Sequence, residues 1–83
     1  MVVYMPEQRI KPDGSICIGT NIRQIRKSRG IGQTELARKV QLMGVELTRE
    51  TLVKIERGIQ HIQASQLQAI KETLGTTYDD LIK

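Results

Sequence analysis

Eighty-three residues with a net charge of +4, one cysteine, no Phe, no Trp and two Tyr make one domain, whose thin core must be built from Ile, Leu, Val, Met and Ala. The lone Cys17 excludes a disulfide framework and a cysteine-rich zinc site, and it suits a reduced, cytoplasmic setting. No apolar run approaches the ~18 residues of a membrane-spanning helix, and the segment 1–5 is too short, and lacks the basic flank, to be a signal peptide.

Residues 1–18 read as an N-terminal arm and 19–83 as the domain. Pro6 and Pro12 interrupt the arm. Lys11-Pro12-Asp13-Gly14 has the residues of a turn, since Pro presets φ and Gly accepts a positive φ. Arg9-Ile10 and Ile16-Cys17-Ile18 on either side are compatible with a short β-hairpin. A first helix is expected over about Thr20–Ser28, because Ile18, Ile22 and Ile25 fall on one face, with cations at its C-terminal end and Gly30 as its stop. A second begins near Gln33 after Gly32, turns Leu36, Ala37, Val40 and Met43 inward, and ends before Gly44. A third, Arg49–Arg57, starts on the good cap Thr48, buries Leu52 and Ile55, and closes at Gly58. A fourth, Ala64–Leu74, carries Leu67, Ile70 and Leu74 on one face. A fifth opens at Thr77, with Tyr78, Leu81 and Ile82 as its inner side. Five short helices without an internal repeat define an all-α fold.

The charge is unevenly spread. Residues 19–57 hold nine Lys/Arg against four Asp/Glu, whereas 1–18 is neutral and 58–83 is net −1. A basic middle between near-neutral ends fits a localised polyanion-binding face; a solvated charged surface is the alternative.

Four segments carry a resemblance to a known family. Gly19-Thr20-Asn21-Ile22-Arg23-Gln24-Ile25-Arg26 resembles the first helix of the phage Cro/repressor-type (XRE-like) helix-turn-helix family. Gln33-Thr34-Glu35-Leu36-Ala37 resembles the start of its second helix, and Leu52-Val53-Lys54-Ile55-Glu56-Arg57-Gly58 the end of its recognition helix. Leu74-Gly75-Thr76-Thr77-Tyr78-Asp79-Asp80-Leu81 is similar to its close. The pieces stand in the family's order across residues 19–82. They imply a compact five-helix, repressor-type domain with its helix-turn-helix at helices 2 and 3. The implied function is a transcriptional regulator, expected to be a repressor, that binds double-stranded DNA sequence-specifically.

The physical reading of helix 3 agrees. The major groove admits one α-helix, and side chains near its N-terminus reach base edges. Arg49, Glu50 and Lys54 lie opposite Leu52 and Ile55. Arg49 suits guanine, Glu50 suits cytosine, and Lys54 reaches a base or a phosphate. The resemblance implies base contact at the same three positions; the alternative is a solvated face with an i, i+4 Glu50–Lys54 pair. Gln33 is implied to contact a phosphate from the start of helix 2, where backbone N–H groups already attract anions. Thr48, Thr51, Gln60 and His61 are further phosphate candidates, while Arg23, Lys27 and Arg38 suit diffuse steering. Arg26 and Glu56 stand at positions the family commonly joins in a partly buried salt bridge, which would fix the angle of helix 3.

Two features depart from the pattern. The family usually places a Gly where Gln41 stands, and the Ala37-to-Leu52 spacing is 15 residues, against about 10 in the compact motif. An insertion within 41–46 is expected, as one more turn of helix 2 and a longer connection. Lys71 stands where a small apolar residue is usual. An enzyme would need a nucleophile–base set, a carboxylate pair or a metal cluster; one His and one Cys far apart supply none, and no cofactor or metal is expected. A protein-interaction module of antitoxin or adaptor type, with a protein partner, is the stronger rival. Because a lone domain binds DNA weakly, a homodimer reading two half-sites is expected, joined through helix 5 or the arm.

Overall fold

Five helices follow one another: α1 (Ile18–Ser28), α2 (Gln33–Leu42), α3 (Arg49–Glu56), α4 (Ala64–Leu74) and α5 (Tyr78–Ile82). Two short strands accompany them, β1 (Arg9–Ile10) and β2 (Ile62–Gln63). The structure is a computed structural model and describes residues 9–10 and 17–83.

The apolar stripes read from the sequence converge on one core. Ile22, Leu36, Val40, Leu52, Ile70 and Leu81 come from all five helices, and Leu47 joins them from the α2–α3 connection. Each such side chain contributes about 1.5–3 kcal/mol on burial. α1 packs on α3 and α5, and α2 packs on α3 and α4, so α3 is held from two sides. At the α1–α3 crossing the backbones approach so closely that a Cβ on Gly19 would lie 2.0 Å from the Ile55 carbonyl oxygen and 3.0 Å from the Glu56 Cα. Only glycine fits there.

Side chains of α1 and of its C-cap Arg29 also close the C-terminal ends of two later helices, whose last carbonyls lack intrahelical partners. Asn21 Nδ2 donates to the Leu81 carbonyl at 2.8 Å and to that of Lys83 at 3.1 Å. Arg29 Nε donates to the Leu74 carbonyl at 3.0 Å.

The structure corrects several sequence expectations. Arg9–Ile10 does not pair with the 16–18 run: β1 pairs antiparallel with β2, Arg9 opposite Gln63 and Ile10 opposite Ile62. Ile18 instead heads α1 two residues before the expected start and is buried in the core, with Cys17 as N-cap. The expected turn at 11–14 lies outside the described residues. Met43 is exposed, because α2 stops at Leu42 and Met43 is its C-cap. Tyr78 and Ile82 are exposed as well, since a helix of five residues turns a single position, Leu81, onto the core. Lys71 sits over the Tyr78 ring, its Nζ 5.0 Å from the centroid, an arrangement the ring quadrupole favours.

The insertion takes the expected form. α2 continues to Leu42, and a connection of residues 43–48 leads to α3. Gly44, at φ 86°, donates to the Gln41 carbonyl at 2.9 Å, and Val45 N–H reaches back to the Val40 carbonyl at 3.4 Å. The left-handed glycine thereby satisfies the last carbonyls of α2.

Candidate nucleic-acid interface

α3 starts on Thr48, whose hydroxyl oxygen accepts from the Thr51 N–H at 3.1 Å and donates to the Thr51 hydroxyl at 3.0 Å. Eight residues are too few for a helix to persist alone. The cap and the burial of Leu52, Ile55 and Glu56 hold it in place. Arg49, Glu50 and Lys54 are exposed on its outer face. Among the described residues the i, i+4 ion pair is Glu35–Lys39 at 3.4 Å on the surface of α2, not Glu50–Lys54. The three outward side chains are therefore not tied to each other.

Behind this face lies a buried polar cluster. Arg26 Nε and Nη2 donate to the two oxygens of Glu56 at 2.8 and 3.0 Å, with the side chains 8% and 2% exposed. Arg26 Nη1 donates to the Ile31 carbonyl at 2.9 Å. Gln33 Nε2 donates to Glu56 Oε1 at 3.1 Å. One carboxylate thus joins α1, the α1–α2 loop, the first residue of α2 and the last residue of α3. Among the described residues no buried side-chain polar atom lacks a partner, the condition under which a buried ion pair is tolerated. Its contribution is geometric more than energetic, because desolvation offsets much of the Coulomb attraction.

Gln33 and Arg49 share a shallow groove of about 530 Å³ with Gly32, Thr34, Glu35 and Arg38. Gly32 brings no side-chain cap to α2, so the first-turn N–H groups face the groove without an internal acceptor from that residue. The groove joins the start of α2 to the start of α3 and carries two guanidinium groups. Gln60 is exposed and His61 half-buried in the loop after α3, where the Ile59 and Gln60 N–H groups both reach the Lys54 carbonyl.

Sequence reasoning missed three positioning residues. Gly19 reads there only as part of a motif, and its role depends on a helix crossing that one chain's pattern does not reveal. Gln41 and Gln66 hold the α2–α3 connection: Gln41 Nε2 donates to the Leu47 carbonyl, and Gln66 Nε2 to the Glu46 carbonyl at 3.1 Å. For Gln66 a signal existed. It stands three residues after Gln63, the N-cap of α4, and its Oε1 accepts from the Gln63 N–H at 3.0 Å, as a capping box requires.

Two helices at this arrangement, the second exposing a polar face and the first opening on it, define a helix-turn-helix protein. A family model described as Helix-turn-helix matches residues 22–81, and the chain belongs to that XRE-like family of DNA-binding regulators, not enzymes. Two solved structures of the clp gene regulator ClgR from Corynebacterium glutamicum resemble it, each at 22% identity over 87% of this chain. One matches with a TM-score of 0.72 over 71% of its own length, the other with 0.71 over 86%. At that identity the likeness bears on the fold. A search of curated proteins finds no match. Among the described residues no helix is long and apolar enough to cross a membrane.

Proposed function

We propose that this protein is a cytoplasmic, sequence-specific transcriptional repressor that reads the major groove with α3. The observation that carries the reading is the exposed row Arg49, Glu50 and Lys54 on a short helix whose opposite side is locked by Arg26–Glu56. A reading helix must be rigid on one side and unoccupied on the other. Arg49 and Glu50, at its N-terminal end, face base edges, and Lys54 follows one turn on. Gln33 is assigned a phosphate. One hydrogen of its amide is held by Glu56, which leaves the other for a phosphate at the N-terminus of α2. Thr51 accepts from the Thr48 hydroxyl and keeps its own hydroxyl hydrogen to donate to a phosphate at the groove edge, Thr48 can turn its hydrogen from Thr51 to the same phosphate, and Gln60 and His61 flank the far end of α3.

The regulator is assigned as a homodimer on two half-sites roughly one helical turn, ~34 Å, apart. Exposed Tyr78 and Ile82 favour α5 over the arm as the shared surface, since the 9–10 strand is already paired with β2. Selection from random duplexes at fixed salt tests the assignment. The wild type should enrich one motif, Arg49→Ala should relax a single position by ~1–3 kcal/mol, and Gln33→Ala should weaken all duplexes alike. Enrichment of no motif would refute it.

A second reading, an antitoxin- or adaptor-type module, draws on Leu42, 80% exposed beside exposed Met43 at the end of α2. It requires a protein partner that co-purifies with the wild type and is lost with Leu42→Ser.

A further inference from the structure

The longer α2–α3 connection poses a mechanical problem. In a compact motif the turn itself fixes the second helix against the first. Here six residues, 43–48, separate α2 from α3, and a chain of that length does not set an angle by covalent geometry alone. Within it Leu47 is buried, but Glu46 and Thr48 are exposed. Two side-chain amides grip it, one from α2 and one from α4. Gln41, on the last turn of α2, donates to the Leu47 carbonyl, and Gln66, buried on α4, donates to the Glu46 carbonyl at 3.1 Å. Gln66 is itself fixed, because its Oε1 accepts from the Gln63 N–H at 3.0 Å. The two gripped carbonyls are consecutive and end one residue before the cap Thr48, two before Arg49 and three before Glu50.

We propose that Gln41 and Gln66 are specificity-determining positioning residues: together they set the pose of the N-terminal end of α3, and through it the aim of Arg49 and Glu50. This deepens the major-groove reading above and rests on it. Neither amide touches DNA. Each acts on backbone carbonyls, which only a donor of the right reach can hold. Gln41 stands at the position where the compact motif has its turn glycine, so the residue that replaces the tight turn also supplies the restraint. The division of labour follows. The phosphate contact assigned to Gln33, made from α2, does not depend on where α3 begins, whereas the base contacts of Arg49 and Glu50 do, and Thr48 and Thr51 move with them.

The test uses the full chain carrying Gln41→Met, Gln66→Glu and both together; Met keeps the length of Gln41 and removes its donor, and Glu at position 66 removes the donor to the Glu46 carbonyl while keeping the oxygen that accepts from the Gln63 N–H. Two measurements are made at a temperature where circular dichroism shows every variant folded. Amide exchange of the free protein should rise at Thr51 and Leu52, whose N–H groups bond Thr48, while Leu36 and Ile70 stay protected. Affinity for the selected duplex should fall roughly fivefold or more per variant, and affinity for a scrambled duplex should fall by clearly less. Unaltered exchange at Thr51 and Leu52 in the double variant would overturn the proposal whatever the DNA result. Equal losses on selected and scrambled duplexes would overturn it too, as would enhanced exchange with specificity intact. A wild type that fails to discriminate the two duplexes would sink the major-groove reading instead, and the exchange data would still decide whether the glutamines hold the helix. Should Gln66→Glu unfold the protein, Gln41→Met alone decides, since Gln41 lies on the surface of the domain.

Discussion

Gly19 and Glu56 meet at the same helix crossing and show how two single residues set the position of α3. A methyl group on Gly19 would sit 2.0 Å from the Ile55 carbonyl oxygen, a backbone atom that cannot rotate away. Gly19→Ala should therefore force α1 and α3 apart, at a cost of about 2–3 kcal/mol in urea unfolding, although alanine is the better helix former. Glu56→Ala leaves the Arg26 guanidinium buried without its counter-charge and removes the acceptor of Gln33. A loss of ~3–5 kcal/mol is expected in chemical denaturation, whereas the double replacement Arg26→Met, Glu56→Leu should lie much closer to the wild type. A Glu56→Ala protein as stable as the wild type would show that the cluster does not hold the helix. The positions of Arg26 and Glu56 could be named from sequence because they recur in a recognisable frame. Gln33 as a third member could not, because a glutamine at a helix start is consistent with many partners.

Among the elements, α3 depends most on its ends. Thr48→Ala removes the cap that accepts the Thr51 N–H and should cost ~1 kcal/mol, read as a lower unfolding midpoint with unchanged slope. The positions of the first four helices were legible in the sequence because each carries a 3.6-residue apolar stripe and a stop, at Gly30, Gly44, Gly58 and Gly75 in turn, all of which have positive φ. The strand pairing was not legible. Arg9–Ile10 shows β-compatible residues, but a two-residue strand carries no information about which distant segment completes it, and the nearest candidate in sequence was the wrong one. Nor could the stripe of α5 be assigned. Tyr78, Leu81 and Ile82 all fit a helix face, and only the docking of α5 on α1 through Asn21 shows that Leu81 alone is enclosed. The added length between helices 2 and 3 was countable; the glutamines that restrain it were not, because their partners are backbone carbonyls with no residue signature.

For the molecule as a whole, DNA binding through the basic middle segment and the groove between α2 and α3 should be sensitive to salt. Arg38 lines that groove beside Arg49. Arg38→Ala should weaken binding to every duplex alike and lower the slope of log K against log salt by about 1, whereas a base-contacting residue alters sequence preference. Titrations across a salt series distinguish the two, and an unchanged slope would place Arg38 away from the phosphates. A chain of this size is expected to have a stability of roughly 4–12 kcal/mol, so the largest of the losses above, ~3–5 kcal/mol, should remove a large share of it and lower the unfolding midpoint.

The outer face of α3 has a consequence for how such a protein changes over time. Among the described residues ion pairs and side-chain hydrogen bonds run through Arg26, Glu56, Gln33, Gln41, Gln66, Asn21, Arg29, Thr48 and Thr77 among others, and none runs through the side chains of Arg49, Glu50 or Lys54. Surface substitutions of that kind usually alter stability by less than ~0.5 kcal/mol. Drift at those three positions is therefore nearly invisible to folding, and a duplicated copy of this chain could explore new target sites one substitution at a time without passing through an unfolded ancestor.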